Sequence, residues 1–378
     1  MIYLDHAAST PVRREVLEAM WPYLTGEYGN PSSHHSIGES AAAALSHARE
    51  QIAATLDVRP AELIFTSGGT ESDNLAVKGI TLASTRGRHV ITSAIEHEAI
   101  RESLDFLERH HGATSTILPV NEEGLVSAEL LRYAIRPDTA LVTIQHANNE
   151  IGTVQDIVAL AAIAKDAGVA FHTDAVQTAG WLPLSGLGVD ALSLAGHKLG
   201  TPKGIGLLYV RAGVPLEPLL HGGGQERGRR SGTENLAAAV GLSVGLSLAA
   251  AALTAGAPGP QRDGLIDGVL AAVPSAFVTG SRTSRLPNHA SFCFPGTSGE
   301  AVLLELERHG IVCSSGSACA AGSDEASHVL LALGIEAEVA QTAVRFTLDG
   351  TVTSEQISQV VERVADAVAT VGGLATPR

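Results

Sequence analysis

A lysine that ends an apolar run is the residue of this chain most suited to covalent chemistry. Ala191-Leu192-Ser193-Leu194-Ala195 leads directly into Gly196-His197-Lys198, and an amine in such a partly desolvated place has a lowered pKa and can join a carbonyl as a Schiff base. Lysine is scarce here and an apolar run ending in His-Lys makes a poor surface, so this reading outweighs a merely solvated side chain. In His172-Thr173-Asp174-Ala175-Val176-Gln177 a carboxylate emerges just past an apolar strand. There it could keep a pyridine nitrogen protonated and make the ring an electron sink; taken singly, an Asp helix cap explains it equally well. In Ser67-Gly68-Gly69-Thr70-Glu71-Ser72-Asp73-Asn74 the glycines let backbone N–H groups approach an anion, and Thr70 opens a helix whose positive end favours phosphate. By itself that stretch reads more simply as a Thr-capped helix start.

Such residues need elements that bring them together. Between about 62 and 210, short β-branched runs alternate with helical ones: Leu63-Ile64-Phe65 precedes a helix over 71–83, His89-Val90-Ile91 one over 99–109, and Leu141-Val142-Thr143-Ile144 one over 157–165, followed by Val169-Ala170-Phe171-His172. Alternation of this kind predicts a mostly parallel sheet covered on both faces, with ligands gathered at strand ends. After Gly256-Ala257-Pro258-Gly259-Pro260 the pattern restarts, with strands at 290–294 and 344–348 and helices at 299–308 and from Glu355, which predicts a second, smaller domain.

Composition narrows the functions. The 378 residues suffice for two packed domains. A formal charge of -15 argues against broad nucleic-acid or anionic-membrane binding, both of which need excess Lys and Arg, and so favours a small-molecule substrate. No phosphate-loop signature occurs, and Gly204-Ile205-Gly206-Leu207-Leu208-Tyr209 lacks the third glycine of the dinucleotide fingerprint. The start Met1-Ile2-Tyr3-Leu4-Asp5-His6 lacks a basic segment followed by an apolar run, so a cytoplasmic address is expected. The uncharged stretch 236–260 is Ala, Gly and Ser rich and broken by Pro258 and Pro260, which reads as a buried helix and not a membrane span.

The three cysteines, Cys293, Cys313 and Cys319, support neither a disulfide framework nor a zinc site, and no metal is expected. Cys293 lies between Phe292 and Phe294, and Cys313 follows Ile311-Val312, so both read as buried core residues. Cys319 stands among Gly316, Ser317, Ala318, Ala320, Ala321, Gly322 and Ser323, small and turn-prone neighbours that suit an exposed reactive thiol.

In order, these pieces resemble the cysteine desulfurase family within the wider class V aminotransferase group. The match runs nearly end to end: Tyr3-Leu4-Asp5-His6-Ala7-Ala8-Ser9-Thr10-Pro11, Gly29-Asn30-Pro31-Ser32-Ser33, the Thr70 stretch, Glu96-His97, Asn148-Asn149-Glu150-Ile151-Gly152, the Asp174 and Lys198 stretches, His221-Gly222-Gly223-Gly224-Gln225-Glu226-Arg227, Arg230-Ser231-Gly232-Thr233, and Ser314-Ser315-Gly316-Ser317-Ala318-Cys319. The resemblance implies an α/β fold of the aspartate aminotransferase type (fold type I), with a large pyridoxal-phosphate-binding domain over 14–257. Residues 1–13 and 258–378 would form a smaller α+β domain carrying the catalytic cysteine loop.

It also implies roles. Lys198 would bind pyridoxal 5'-phosphate covalently and move protons at the substrate carbon. Asp174 would pair with the pyridine nitrogen, Gln177 with the ring hydroxyl, and His97 would stack on the ring and assist proton transfer. Gly69, Thr70, His197 and Thr233 of the partner subunit would hold the phosphate. Asn149, beside the cofactor, and Arg345 would grip the substrate, Arg345 by a two-pronged contact to its carboxylate. Cys319 would accept sulfur from L-cysteine as a persulfide in a homodimer, leaving alanine, and pass it to an acceptor for iron-sulfur assembly or tRNA thiolation. The basic cluster Arg227, Arg229, Arg230 would belong to the dimer interface. Ala195 stands where many relatives carry a Ser that donates to the phosphate, which implies one donor fewer and looser cofactor binding. A selenocysteine lyase or another class V aminotransferase would share the cofactor residues without depending on Cys319. A non-catalytic sulfur-assembly subunit is the alternative from another class, and the intact set Lys198, Asp174, His97 and Cys319 argues against it.

Overall fold

The structure is a computed structural model that describes residues 1–255, 258–315 and 326–375. Along the chain run β1 (Ile2–Tyr3), α1 (Arg14–Thr25), α2 (Ser36–Leu56), β2 (Leu63–Thr66), α3 (Gly69–Ala83), β3 (His89–Ser93), α4 (Glu98–His111), β4 (Thr114–Leu118), α5 (Ala128–Ala134), β5 (Thr139–Thr143), α6 (Ile157–Asp166), β6 (Ala170–Asp174), β7 (Ala191–Ala195), β8 (Gly206–Val210) and α7 (Leu236–Ala255). They are followed by α8 (Gly259–Ala272), β9 (Phe277–Val278), β10 (His289–Cys293), α9 (Gly299–Arg308), β11 (Ile311–Val312), α10 (His328–Ala332), α11 (Ala337–Ala340), β12 (Ala343–Thr347) and α12 (Ser354–Ala375).

The main sheet has seven strands in the order β2-β8-β7-β6-β5-β3-β4. All neighbours are parallel except around β8, which runs antiparallel to both β2 and β7. The expected parallel sheet is therefore present, with an antiparallel member that the simple strand-helix alternation does not reveal, because β8 follows β7 through the segment that carries Lys198 and not across a full crossover helix. The alternation gives no sign of the edge strand β4 either: its Thr114-Ser115-Thr116-Ile117 is largely solvent-facing and lacks the apolar run of a buried strand. Val142, Phe171, Leu192 and Leu194 pack into a core on one face, while Leu141, Ala191, Leu208 and Val210 join another on the opposite face. Burial on both faces is what makes these central strands continuous apolar runs.

α7 has the length and apolarity to cross a membrane. It instead lies against α1 and α2, with Leu236, Leu242, Leu246 and Ala249 buried in the first core. A Cβ on Gly245 would collide with Thr201 Cγ2 and stand 3.0 Å from the Leu199 carbonyl oxygen. Glycine there lets α7 come up against the turn that carries Lys198.

A separate core gathers Phe292, Phe294, Val344, Phe346, Leu265, Val360 and Val364. It lies beside an antiparallel sheet in the order β12-β10-β9, with Ser291 opposite Arg345. The first residues of the chain belong to this body: β1 pairs with β11, and Leu4 is fully buried in the same core. Cys293 is buried, as expected, and burial pushes its thiol up to about 12. Cys313 corrects the expectation, since it is only partly buried at the rim of this core, next to the short edge strand β11.

Candidate active site

The residues singled out by their chemistry converge where parallel strands of the main sheet end. Thr70 follows β2, His97 follows β3, Asn149 follows β5, Asp174 ends β6, and Lys198 sits in a single helical turn after β7. Strand carboxyl ends are where open α/β sheets hold ligands, because successive loops diverge there and leave a crevice. These five residues, with Gly69, Gln177, His197 and Arg345, line one cavity of about 280 Å³. Arg345 arrives from β12 of the second body, so both sheets furnish the site.

Local structure decides between the alternative readings of the motifs. The N-cap of α3 is Gly68, with no side-chain cap, so Thr70 lies inside the first turn and lines the cavity in place of capping the helix. An uncapped helix N-terminus directs N–H groups and the positive end of the helix dipole toward a ligand. A Cβ on Gly206 would come within 2.5 Å of the Gly68 carbonyl carbon. The bare glycine of β8 therefore lets the Gly68 loop sit directly on the sheet.

Asp174 is no helix cap either, since the residues after it form turns. Its Oδ1 accepts from the Val176 N–H at 3.0 Å, and its side chain reaches the cavity from a nearly fully buried position. Burial pushes the carboxyl above its ordinary value, opposed by His97 and Lys198. A cationic partner in the cavity would bring it back to the ionised form.

His97 caps α4: its Nδ1 accepts from the Ala99 N–H at 3.1 Å, which leaves the proton of the neutral ring on Nε2. Burial, reinforced by Lys198 and opposed by Asp174, keeps that ring neutral. His197 is pushed down to about 4 by burial and by the neighbouring Lys198 and Lys203, and its Nδ1 lies 3.4 Å from Ser9 Oγ. Asn148 and Asn149 separate cleanly. The Asn148 side chain is spent on the Glu150 and Ile151 N–H groups and the Ile95 carbonyl, leaving Asn149 to line the cavity.

Arg345 donates from Nη1 to the Asn149 carbonyl at 3.0 Å and from Nη2 to Asp5 Oδ1 at 2.7 Å, while its buried Nε has no partner among the described residues. Thr233 is exposed in the segment before α7 and does not line the cavity of its own chain. Cys319 lies outside the described residues. The basic cluster is tied down locally: Arg230 pairs with Glu71 at 2.8 Å, and Arg227 donates to the Leu63 carbonyl.

The structure adds residues that motif reading passed over. Ala7 and Ala8 line the cavity, as does Asp73, fully buried one helical turn beyond Thr70. Burial and the nearby Asp174 hold the Asp73 carboxyl well above its usual range. Its spacing of three from Thr70 in one helix was the available signal. Glu96, named only as part of a motif, is buried behind His97 and raised to about 8 by burial.

This donor set fits a phosphorylated pyridine aldehyde. The uncapped helix and the Gly68-Gly69 loop suit the phosphate, Asp174 at the inner wall suits a protonated ring nitrogen, and Lys198 on the same cavity suits the aldehyde. Among the described residues no cluster of potential metal ligands occurs.

Comparison with known proteins agrees. The sequence profile of the class V aminotransferases matches residues 2–360. The chain is 45% identical over 378 residues to the cysteine desulfurase IscS of Dictyoglomus turgidum, covering 98% of this chain and 96% of the relative. It is 43% identical over 380 residues to an IscS-like cysteine desulfurase of Mycobacterium tuberculosis, at 98% and 96% coverage. Among solved structures, a NifS-like protein superposes with a TM-score of 0.90 at 36% identity, covering 98% of this chain and 99% of the other. SspA in complex with cysteine gives 0.81 at 38% identity, covering 92% and 99%. With both sequence and fold matched over nearly their whole length, the chain belongs to the class V aminotransferase family and, within it, to the cysteine desulfurases.

Proposed function

We propose that this cysteine desulfurase works as a homodimer that converts L-cysteine to L-alanine and places the sulfur on Cys319. The observation that carries the reading is the single cavity shared by Lys198, Asp174, His97, Asn149 and Arg345, with the substrate-binding arginine supplied by one body and the lysine by the other. Pyridoxal 5'-phosphate, when bound, supplies an aldehyde for the Lys198 amine and a ring that draws electrons from the substrate α-carbon. Asp174 would keep a proton on the ring nitrogen, Gln177 would meet the ring hydroxyl, and Gly69, Thr70, His197 and Thr233 of the partner subunit would hold the phosphate. Arg345 and Asn149 hold the substrate carboxylate.

Lys198 takes the proton from the α-carbon, and His97 assists proton transfer at the substrate. The Cys319 thiolate attacks the substrate sulfur. The carbon–sulfur bond breaks, a sulfur–sulfur bond forms, and a proton delivered to the β-carbon with one returned to the α-carbon from Lys198 completes alanine, so L-cysteine and one thiol yield L-alanine and one persulfide. Residues 14–257 serve as the cofactor-binding domain, and residues 1–13 with 258–378 as the domain carrying Arg345 and Cys319. The persulfide passes, in the cytoplasm, to an acceptor for iron-sulfur assembly or tRNA thiolation.

The test is sulfide and alanine release from L-cysteine with a thiol reductant, comparing the natural protein with Cys319→Ala and Lys198→Ala. Both variants should lose activity while Cys319→Ala keeps a yellow cofactor. A fully active Cys319→Ala would replace this reading with that of a lyase or transaminase.

A further inference from the structure

The guanidinium that would grip the substrate is itself gripped from outside the cavity. Asp5 Oδ1 accepts from Arg345 Nη2 at 2.7 Å, and the two side chains are only 17% and 3% exposed. Arg345 lines the cavity and Asp5 does not. Asp5 is in turn held by its backbone. It bridges Thr347 of β12, the flanking Leu4 exchanges bonds with Val312 and Thr347 at 2.7 Å, the Ala7 N–H donates to Thr347 Oγ1 at 2.9 Å, and the Tyr3 hydroxyl donates to the Asp5 carbonyl at 3.1 Å.

The other prong of Arg345 is fixed just as firmly. Its acceptor, the Asn149 carbonyl, also lies 3.1 Å from His289 Nε2, on a ring that is fully buried and kept neutral by that burial. Of the five N–H donors of a guanidinium, two are thus committed to a carbonyl and a carboxylate, one hydrogen on each of Nη1 and Nη2 is left over, and Nε is buried.

We propose that Asp5 is a positioning residue for the substrate-carboxylate site: it orders the long Arg345 side chain before substrate arrives, so that a substrate carboxylate meets a preset fork. The inference rests on the reading of Arg345 as the substrate's carboxylate partner. Ordering a flexible cation is a cost that substrate binding would otherwise bear, and an ionised acceptor orders it better than a neutral one. The opposite arrangement, Asp5 as an internal stand-in that substrate must displace, predicts the reverse change in affinity.

The experiment uses holoenzyme and the variants Asp5→Ala, Asp5→Asn and Arg345→Gln. Steady-state turnover of L-cysteine gives kcat and KM, and the change in cofactor absorbance gives dissociation constants for L-alanine and for cysteamine, which is cysteine without its carboxylate. Asp5→Ala should raise KM and the L-alanine constant on the order of tenfold or more, as expected for a lost charge-assisted hydrogen bond, with a much smaller change in kcat. Cysteamine binding should not change. Asp5→Asn keeps an oxygen acceptor but not the charge, so it should fall between the parent and Asp5→Ala, and it carries the test alone if Asp5→Ala does not fold. Unchanged or tighter L-alanine binding in either Asp5 variant overturns the proposal, as does an equal loss for cysteamine. An Arg345→Gln variant that binds L-alanine as tightly as the parent would sink the carboxylate reading of Arg345 itself, and the inference with it.

Discussion

The side-chain amide of Gln177 donates to the carbonyl oxygen of Ala7 across 3.2 Å, joining a turn after β6 to a residue near the start of the chain. Ala7 belongs to a segment that continues to Ser9 and Thr10, both of which touch His197: Thr10 Oγ1 donates to the His197 carbonyl at 2.8 Å and accepts from the Gly200 N–H at 2.9 Å. The N-terminal segment thus fixes the orientation of Gln177 and braces the turn that carries Lys198. Replacing Gln177 by Ala should weaken cofactor binding roughly two- to tenfold, the worth of one ordinary net hydrogen bond. Equilibrium dialysis against pyridoxal phosphate measures this, and thermal unfolding of the cofactor-free protein should change little beside it.

Ala195 lies at the cavity wall, its Cβ only 3.4 Å from where a Cβ on Gly69 would stand. A hydroxyl added there reaches the neighbourhood of the Gly68-Gly69 loop. Ala195→Ser should tighten cofactor binding by about 1.5–3 kcal/mol, since a hydrogen bond to a charged phosphate is gained. An unchanged dissociation constant would show that the missing donor is already replaced.

Beneath the loop that carries Arg227 to Arg230, Arg49 and Glu226 form a buried two-pronged ion pair, at 2.6 and 2.9 Å, and the Phe65 N–H adds a bond to Glu226 Oε2 at 3.3 Å. Glu226 and Arg227 both have left-handed backbone, φ 49° and 60°, which the pair helps to hold. Arg49→Ala leaves a buried carboxylate without its partner and should destabilise the chain by roughly 3–5 kcal/mol. Urea unfolding of the parent and variant checks this, and a loss below about 1 kcal/mol would contradict it.

Glu96 should make stability depend on pH. Its carboxyl is buried and raised from 4.5 to about 8, although the Ser93 hydroxyl and the Gln145 N–H donate to it. Between these two values the folded chain keeps a proton that the unfolded chain releases. Stability from this group is therefore present below about pH 4.5 and falls as pH rises through the window toward 8. Glu96→Gln should flatten the fall in melting temperature between pH 5 and 8, read by circular dichroism on the cofactor-free protein. His172 adds a slope of opposite sign. Burial lowers it from 6.5 to about 3, so stability is lost as pH falls below 6.5 and the unfolded chain alone takes up a proton.

Much of the site was legible in the sequence because its chemistry is tied to local order. Asp174 and Lys198 end or follow strands that announce themselves as apolar runs, and Thr70 and His97 stand at helix starts next in line, so their position at one edge of a parallel sheet follows from short-range pattern. The ordered motifs carried the family, and the matches confirm it. What local pattern leaves open is the pairing of distant segments. Nothing near Asp5 names Arg345, nothing near Gln177 names Ala7, and the burial of Asp73 and Glu96 arises only when α3 and α4 close over the sheet. Thr70 as a cavity residue and not a helix cap, and β8 as an antiparallel strand that accommodates the Gly68 loop, were likewise decided by the fold. The physical reason is the same in each case: residue type and spacing set what a side chain can do, whereas desolvation, charge pairing and the acceptor it meets depend on which distant backbone tertiary packing brings against it.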